Sequence, residues 1–212
     1  MSSKSTVSWC ESKYVHSNYI AEFYNSLSSI SLILCGLIGY HKYSHLQGSI
    51  VYLIISIVGL GSVFFHSTLS IYGQMMDEMP MIFLVVQLVI NSMRIENVLI
   101  KSLAYFYSVC YSWYIYRVSQ TDTPINEFYI FQGSIILFAI VIFIRMINVN
   151  LPGRKSLIIK GVSVFLIGYG CWLIDFFLCD YIKQVIQFHS FWHIFSSIGL
   201  YYISKFSLII CN

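Results

Sequence analysis

Polar positions along this chain are confined to short intervals between long apolar runs. Seven runs of roughly 20 residues, the length that crosses a bilayer, stand near 21–40, 48–67, 77–94, 100–117, 128–147, 159–178 and 188–208. Lipid offers no partner for bare backbone, so each run is expected as a helix and not an open strand. The pattern predicts an all-α, polytopic membrane protein: a seven-transmembrane helix bundle over 20–212, preceded by a polar arm at 1–19. The third run begins at Asp77-Glu78, which puts Pro80 in a first helical turn, where proline is tolerated. Asn150-Leu151-Pro152-Gly153 reads as a turn between the fifth and sixth runs.

Composition agrees. Of 212 residues, 58% are hydrophobic and 10% charged, against roughly 25% charged in a soluble domain. Mean hydropathy is +0.74. A net charge of +3 gives no ground for a nucleic-acid partner; the bilayer is the expected surrounding. No apolar stretch precedes a small-residue cleavage site, so the first span is expected to serve as its own signal. The chain stops just past its last span, with almost no tail there.

Charge sets the expected orientation. Lys42, Arg94, Lys101, Arg145, Arg154, Lys155, Lys160 and Lys205 fall on one side of the alternating spans, and Lys4, Lys13, Arg117 and Lys183 on the other. The basic-rich side is expected in the cytosol, which leaves the N-terminus luminal and the C-terminus cytosolic. The acids sort oppositely. Only Glu96 is cytosolic; Glu11, Glu22, Asp77, Glu78, Asp122, Glu127, Asp175 and Asp180 fall at or near luminal ends. A metal or proton-handling site near that face would account for them.

Ionisable groups within such runs are functional candidates. Ser62 and His66 stand four apart, as do His189 and His193, and Asp77 follows eleven after His66. The alternation of spans brings these five to one membrane depth. Paired histidines at i, i+4 share a helix face, the spacing of helical zinc ligands. Three histidines and an open position form the ligand set of a catalytic zinc, which acidifies a water and polarises a carbonyl. Ser62 can donate to an oxyanion, Asp77 can carry a proton, and Asp175 can orient a ligand histidine. The plainer alternative is a set of helix–helix hydrogen bonds. His41 and His45 share the spacing but lie beside Lys42 with no third ligand, so a solvated loop is expected there; Gly59 and Gly61 are expected to serve helix packing.

Cys35, Cys110, Cys171 and Cys211 lie in or at the ends of spans, where a free thiol packs as a small hydrophobe. Cys10 and Cys179 fall in luminal segments, where disulfides persist. A bridge between them would tie the arm to the loop before the last span; two unpaired thiols are the alternative.

The motifs W-C-E at 9–11, Y-I-A-E-F-Y-N at 19–25, G-x-G-S-x-x-F-H at 59–66, M-D-E-M-P-M-I at 76–82, W-L-I-D at 172–175 and Q-F-H-x-x-W-H-I at 187–194 resemble the alkaline ceramidase family, within the wider seven-span hydrolase group that includes adiponectin-receptor-like proteins. The resemblance implies a zinc-dependent hydrolase that cuts the ceramide amide to a sphingoid base and a fatty acid. It implies zinc ligands at His66, His189 and His193, catalytic roles for Ser62 and Asp77, and a Cys10–Cys179 disulfide. An endoplasmic reticulum or Golgi membrane is the expected location.

It also implies a calcium site in the arm, and there the sequence departs. Trp9, Glu11 and Glu22 match, but Ser8 and Lys13 stand where the family carries an aspartate and an asparagine. Two readings follow: Lys13 pairs with Glu11 and Glu22 in place of the ion, or a weakened calcium site persists. Rival functional readings are a receptor-like seven-span protein of the adiponectin-receptor type and a catalytically inactive relative that binds sphingolipid.

Overall fold

The computed structural model describes residues 4–120, 124–151, 154–182 and 186–212, with backbone alone for 124–127. Asp122, Lys183, Pro152 and Gly153 of the expected turn, and the Glu127 side chain, lie outside the described residues.

Among those residues the chain is all-helical: α1 Phe23–Tyr43, α2 Ile50–Thr68, α3 Ile71–Ser92, α4 Val98–Ser119, α5 Pro124–Asn148, α6 Lys155–Phe177, a short α7 Cys179–Ile182 and α8 Phe188–Cys211. Six of them, all but α4 and α7, are long and apolar enough to cross a membrane. The fourth expected span does form a 22-residue helix, but its tyrosines, serines, Lys101 and Arg117 leave it less apolar than the other six.

The long helices alternate in direction. Helix α1 packs on α2 and α8, α2 on α3, and α6 on α8, while α4 and α5 flank α3. The main core is largely aliphatic and includes Val51, Ile55, Val58, Leu84, Leu88 and Met146, with Tyr52 and Phe206 as its buried aromatics. At the end where α1 finishes, buried Asn91 ties three elements together. Its Nδ2 donates to the Gly48 carbonyl at 3.2 Å and reaches Ser207 Oγ at 3.4 Å, and its Oδ1 accepts from Gln87 at 2.6 Å.

Helix α3 corrects the sequence reading. It starts at Ile71, six residues before Asp77, because Ser70 caps it by accepting from the Gly73 N–H at 3.1 Å. A left-handed Leu69, φ 47°, makes the tight reversal from α2. Pro80 therefore sits inside the helix, not in its first turn. Proline has no N–H, so the Met76 carbonyl loses its i+4 donor. That carbonyl points at α2: a Cβ built on Gly61 would lie 1.9 Å from Met76 O. Glycine at 61 is what lets the two backbones touch, and the contact sets Asp77 beside Ser62. Gly59 plays the same part toward α1, where a Cβ would lie 2.7 Å from Ile33 N.

The polar arm folds over the opposite end, where α1, α3 and α8 begin. Ala21 and Glu22 donate their N–H groups to the carbonyls of Ser67 and His66 at 3.0 and 2.9 Å. Thr6 bonds Gln74. Cys10 is disulfide-bonded to Cys179 of α7.

A candidate metal centre under the arm

His66 ends α2, and His189 and His193 occupy the first two turns of α8. All three are buried, and their ligand atoms lie within 4.8 Å of one another, so together they could hold a metal ion. His66 Nε2 and His189 Nδ1 are buried with no hydrogen-bond partner. Buried polar atoms are nearly always partnered, and a metal ion is the partner this geometry suits. His66 and His193 have their second nitrogens engaged. His66 Nδ1 meets Glu22 Oε2 at 2.6 Å, and His193 Nδ1 meets Ser28 Oγ at 2.8 Å and Ser29 Oγ at 3.3 Å. Such partners fix the ring orientation of ligating histidines. His189 is held by stacking instead: the Trp9 ring covers it at 3.8 Å between centroids and 24°.

Ser62 and Asp77 complete the cluster. Ser62 Oγ lies 3.5 Å from His193 Nε2 and 3.0 Å from Ser29 Oγ. Asp77 is buried on α3 where that helix abuts Gly61, the neighbour of Ser62, and its Oδ1 is buried without a partner. Five side chains from three helices thus converge on one buried point.

Asp175 serves backbone, not an imidazole ring. It accepts from the His189 N–H at 3.2 Å and the Cys10 N–H at 2.9 Å, so it fixes the start of α8 against the arm. Glu11 also differs from its expected pairing with Lys13. Its carboxylate accepts from the N–H groups of Tyr24 and Asn25 at 2.7 and 2.9 Å, capping the first turn of α1. Lys13 Nζ instead donates to Glu22 Oε1 at 2.5 Å and to the carbonyls of Trp9 and Glu11 at 2.5 and 2.8 Å. Burial works to raise the Glu22 carboxyl, but His66 and Lys13 together hold it down at about 2. Ser8 is exposed. His41 and His45 are exposed as well, with no third ligand beside them among the described residues.

Three functional contacts escaped the sequence reading: Glu22 on His66, Ser28 and Ser29 on His193, and Trp9 on His189. The signal for the first two was a polar stripe. Glu22, Asn25, Ser26 and Ser29 recur at helical spacing on α1, and the structure buries all four. Beside this stripe runs an apolar groove of about 670 Å³ between α1 and α8, lined by Leu27, Ile30, Leu34, Phe191 and Ile194 and reaching Ser28.

Fold and site define an all-helical membrane protein with a buried three-histidine centre at one end of its bundle. Residues 1–211 match the family model described as Ceramidase, and the chain belongs to the ceramidase family. Among its relatives, alkaline ceramidase 3 of Mus musculus is 29% identical, over 96% of this chain and 83% of that protein. The alkaline ceramidase of Arabidopsis thaliana is 26% identical over 98% and 84%. Alkaline ceramidase 1 of Homo sapiens is 26% identical over 93% and 80%.

Proposed function

We propose that this protein hydrolyses the amide bond of ceramide, with zinc held by His66, His189 and His193, to release a sphingoid base and a fatty acid. The observation that carries the reading is the convergence of three buried histidines with Ser62 and Asp77 in a chain of the ceramidase family. Bound zinc supplies Lewis acidity, which polarises a carbonyl and acidifies a water. The protein's own groups do the rest. Ser62 donates to the carbonyl oxygen as negative charge develops on it. Asp77 takes a proton from the attacking water and returns it to the departing nitrogen as the C–N bond breaks. Glu22, Ser28 and Trp9 hold the histidine rings so that the ligand set is formed before substrate arrives.

A lipid substrate suits the surroundings. The groove between α1 and α8 gives an alkyl chain a path from the bilayer toward Ser28, whose hydroxyl bonds His193. In this reading α4 crosses the membrane as well and brings the spans to seven, the arm and the site face the lumen, the C-terminus is cytosolic, and the protein resides in the endoplasmic reticulum or Golgi membrane.

The test is release of sphingoid base from ceramide by the purified protein, run beside His189→Ala. Release is expected to fall by at least ~100-fold in the variant while the helical content holds. A protein that retains zinc yet hydrolyses no ceramide would overturn the reading.

A further inference from the structure

The oxygen nest that the resemblance assigns to a calcium ion does not fit one. Hard-cation sites of this kind use about six to eight oxygens, several of them carboxylate. Here the nest offers Glu22 Oε1 and the carbonyls of Trp9 and Glu11. The Glu11 carboxylate is turned away onto the start of α1, and position 8 brings a hydroxyl in place of an acid. The three oxygens already surround the Lys13 ammonium at 2.5, 2.5 and 2.8 Å, one for each of its three protons. A divalent ion placed there would face a positive charge at contact distance.

The nest is wired to the histidine cluster. Glu22 Oε1 takes Lys13 and the Trp9 N–H, the latter at 3.1 Å, while Glu22 Oε2 takes His66 Nδ1 and Asn25 Nδ2. Trp9, whose carbonyl Lys13 holds, lays its ring on His189. One ammonium therefore fixes the contacts behind two of the three histidines.

We propose that Lys13 is a tethered cation that takes the place of a bound calcium ion, making the protein calcium-independent. It is a positioning residue for His66, through Glu22, and for His189, through Trp9. The zinc readout of this proposal rests on the zinc centre proposed above; its calcium-binding and stability readouts do not.

The experiment titrates Ca²⁺ into the full-length protein, purified in calcium-free buffer, with calorimetry, thermal midpoint and zinc content read together. The unaltered protein is expected to take up no calcium to about 1 mM, the weak end of protein calcium sites, and its midpoint is expected to stay fixed. Lys13→Met keeps most of the side-chain length and removes the charge. It is expected to lower the midpoint by at least ~4 °C and weaken zinc retention about tenfold or more. Ser8→Asp combined with Lys13→Asn is expected to regain both losses only when calcium is added, with a midpoint that rises with its concentration.

One calcium bound per unaltered chain would overturn the proposal. So would Lys13→Met with an unmoved midpoint and zinc affinity, or a double variant equally stable with and without calcium. Absence of ceramide hydrolysis alongside the expected binding results would sink the hydrolase reading and leave this one standing.

Discussion

Glu22 spends its two oxygens in two directions, one toward the arm and one toward His66. It is fully buried, so each oxygen needs a partner, and the partners it has are the Lys13 ammonium and an imidazole nitrogen. A carboxylate behind a ligating histidine raises the basicity of that ligand and fixes its ring. Glu22→Gln keeps the shape but gives up the charge. It is expected to weaken metal retention about 10–100-fold, measured by competition with a zinc-chelating dye; retention equal to the parent's would show that the His66–Glu22 contact does not support a ligand. The five side chains of the cluster were legible because i, i+4 spacing and the alternation of spans are properties of the sequence itself. The Glu22–His66 bond was not. It spans 44 positions and depends on the hydrogen bonds that bring residues 21 and 22 back across the end of α2, which hydropathy does not record.

Helix α3 shows the same limit at the scale of an element. The apolar pattern placed its start at Asp77, because the polar residues of 70–78 look like a loop. Buried in the bundle end, Gln74, Asp77 and Glu78 instead ride on a helix that Ser70 begins. The cap was present in the sequence but carried no hydrophobic period to mark it. Helix α4 was legible from its length, but its hydropathy is the weakest of the long helices. The internal Pro80 frees the Met76 carbonyl, and Gly61 receives it. Gly61→Ala would place a methyl against backbone that cannot yield without moving α3. Overpacking of this kind costs about 1–3 kcal/mol, read as a drop of roughly 2–12 °C in thermal midpoint. Turnover is expected to fall further than stability alone explains, since α3 carries Asp77 away from Ser62. A variant with the parent's midpoint and turnover would contradict the contact.

On the scale of the whole molecule, the arm acts as a strap across the open end of the bundle. It is held at Thr6 by Gln74, at Cys10 by both Asp175 and the disulfide, and at Lys13 by Glu22. The disulfide joins residues 169 apart, and a cross-link over a long loop contributes on the order of 2 kcal/mol or more. Replacing Cys10 and Cys179 with serine is expected to raise the rate of tryptic cleavage after Lys13 by about 30-fold, the factor that ~2 kcal/mol gives in the open population. Cleavage no faster than in the parent would show that the remaining contacts hold the strap unaided. From the sequence the bridge was an expectation, with two free thiols as the alternative, and the structure pairs them; the Asp175 bonds that set them in register were not legible.

Order of synthesis gives the strap a temporal meaning. The arm precedes every helix along the chain, and α8, which brings His189 and His193, is the last long helix to follow. Trp9 has no His189 ring to cover, and His66 has neither His189 nor His193 beside it, until α8 has been made and packed. Under the proposed function, a nascent chain lacking α8 carries one histidine of the three and is expected to hydrolyse no ceramide until that helix is in place.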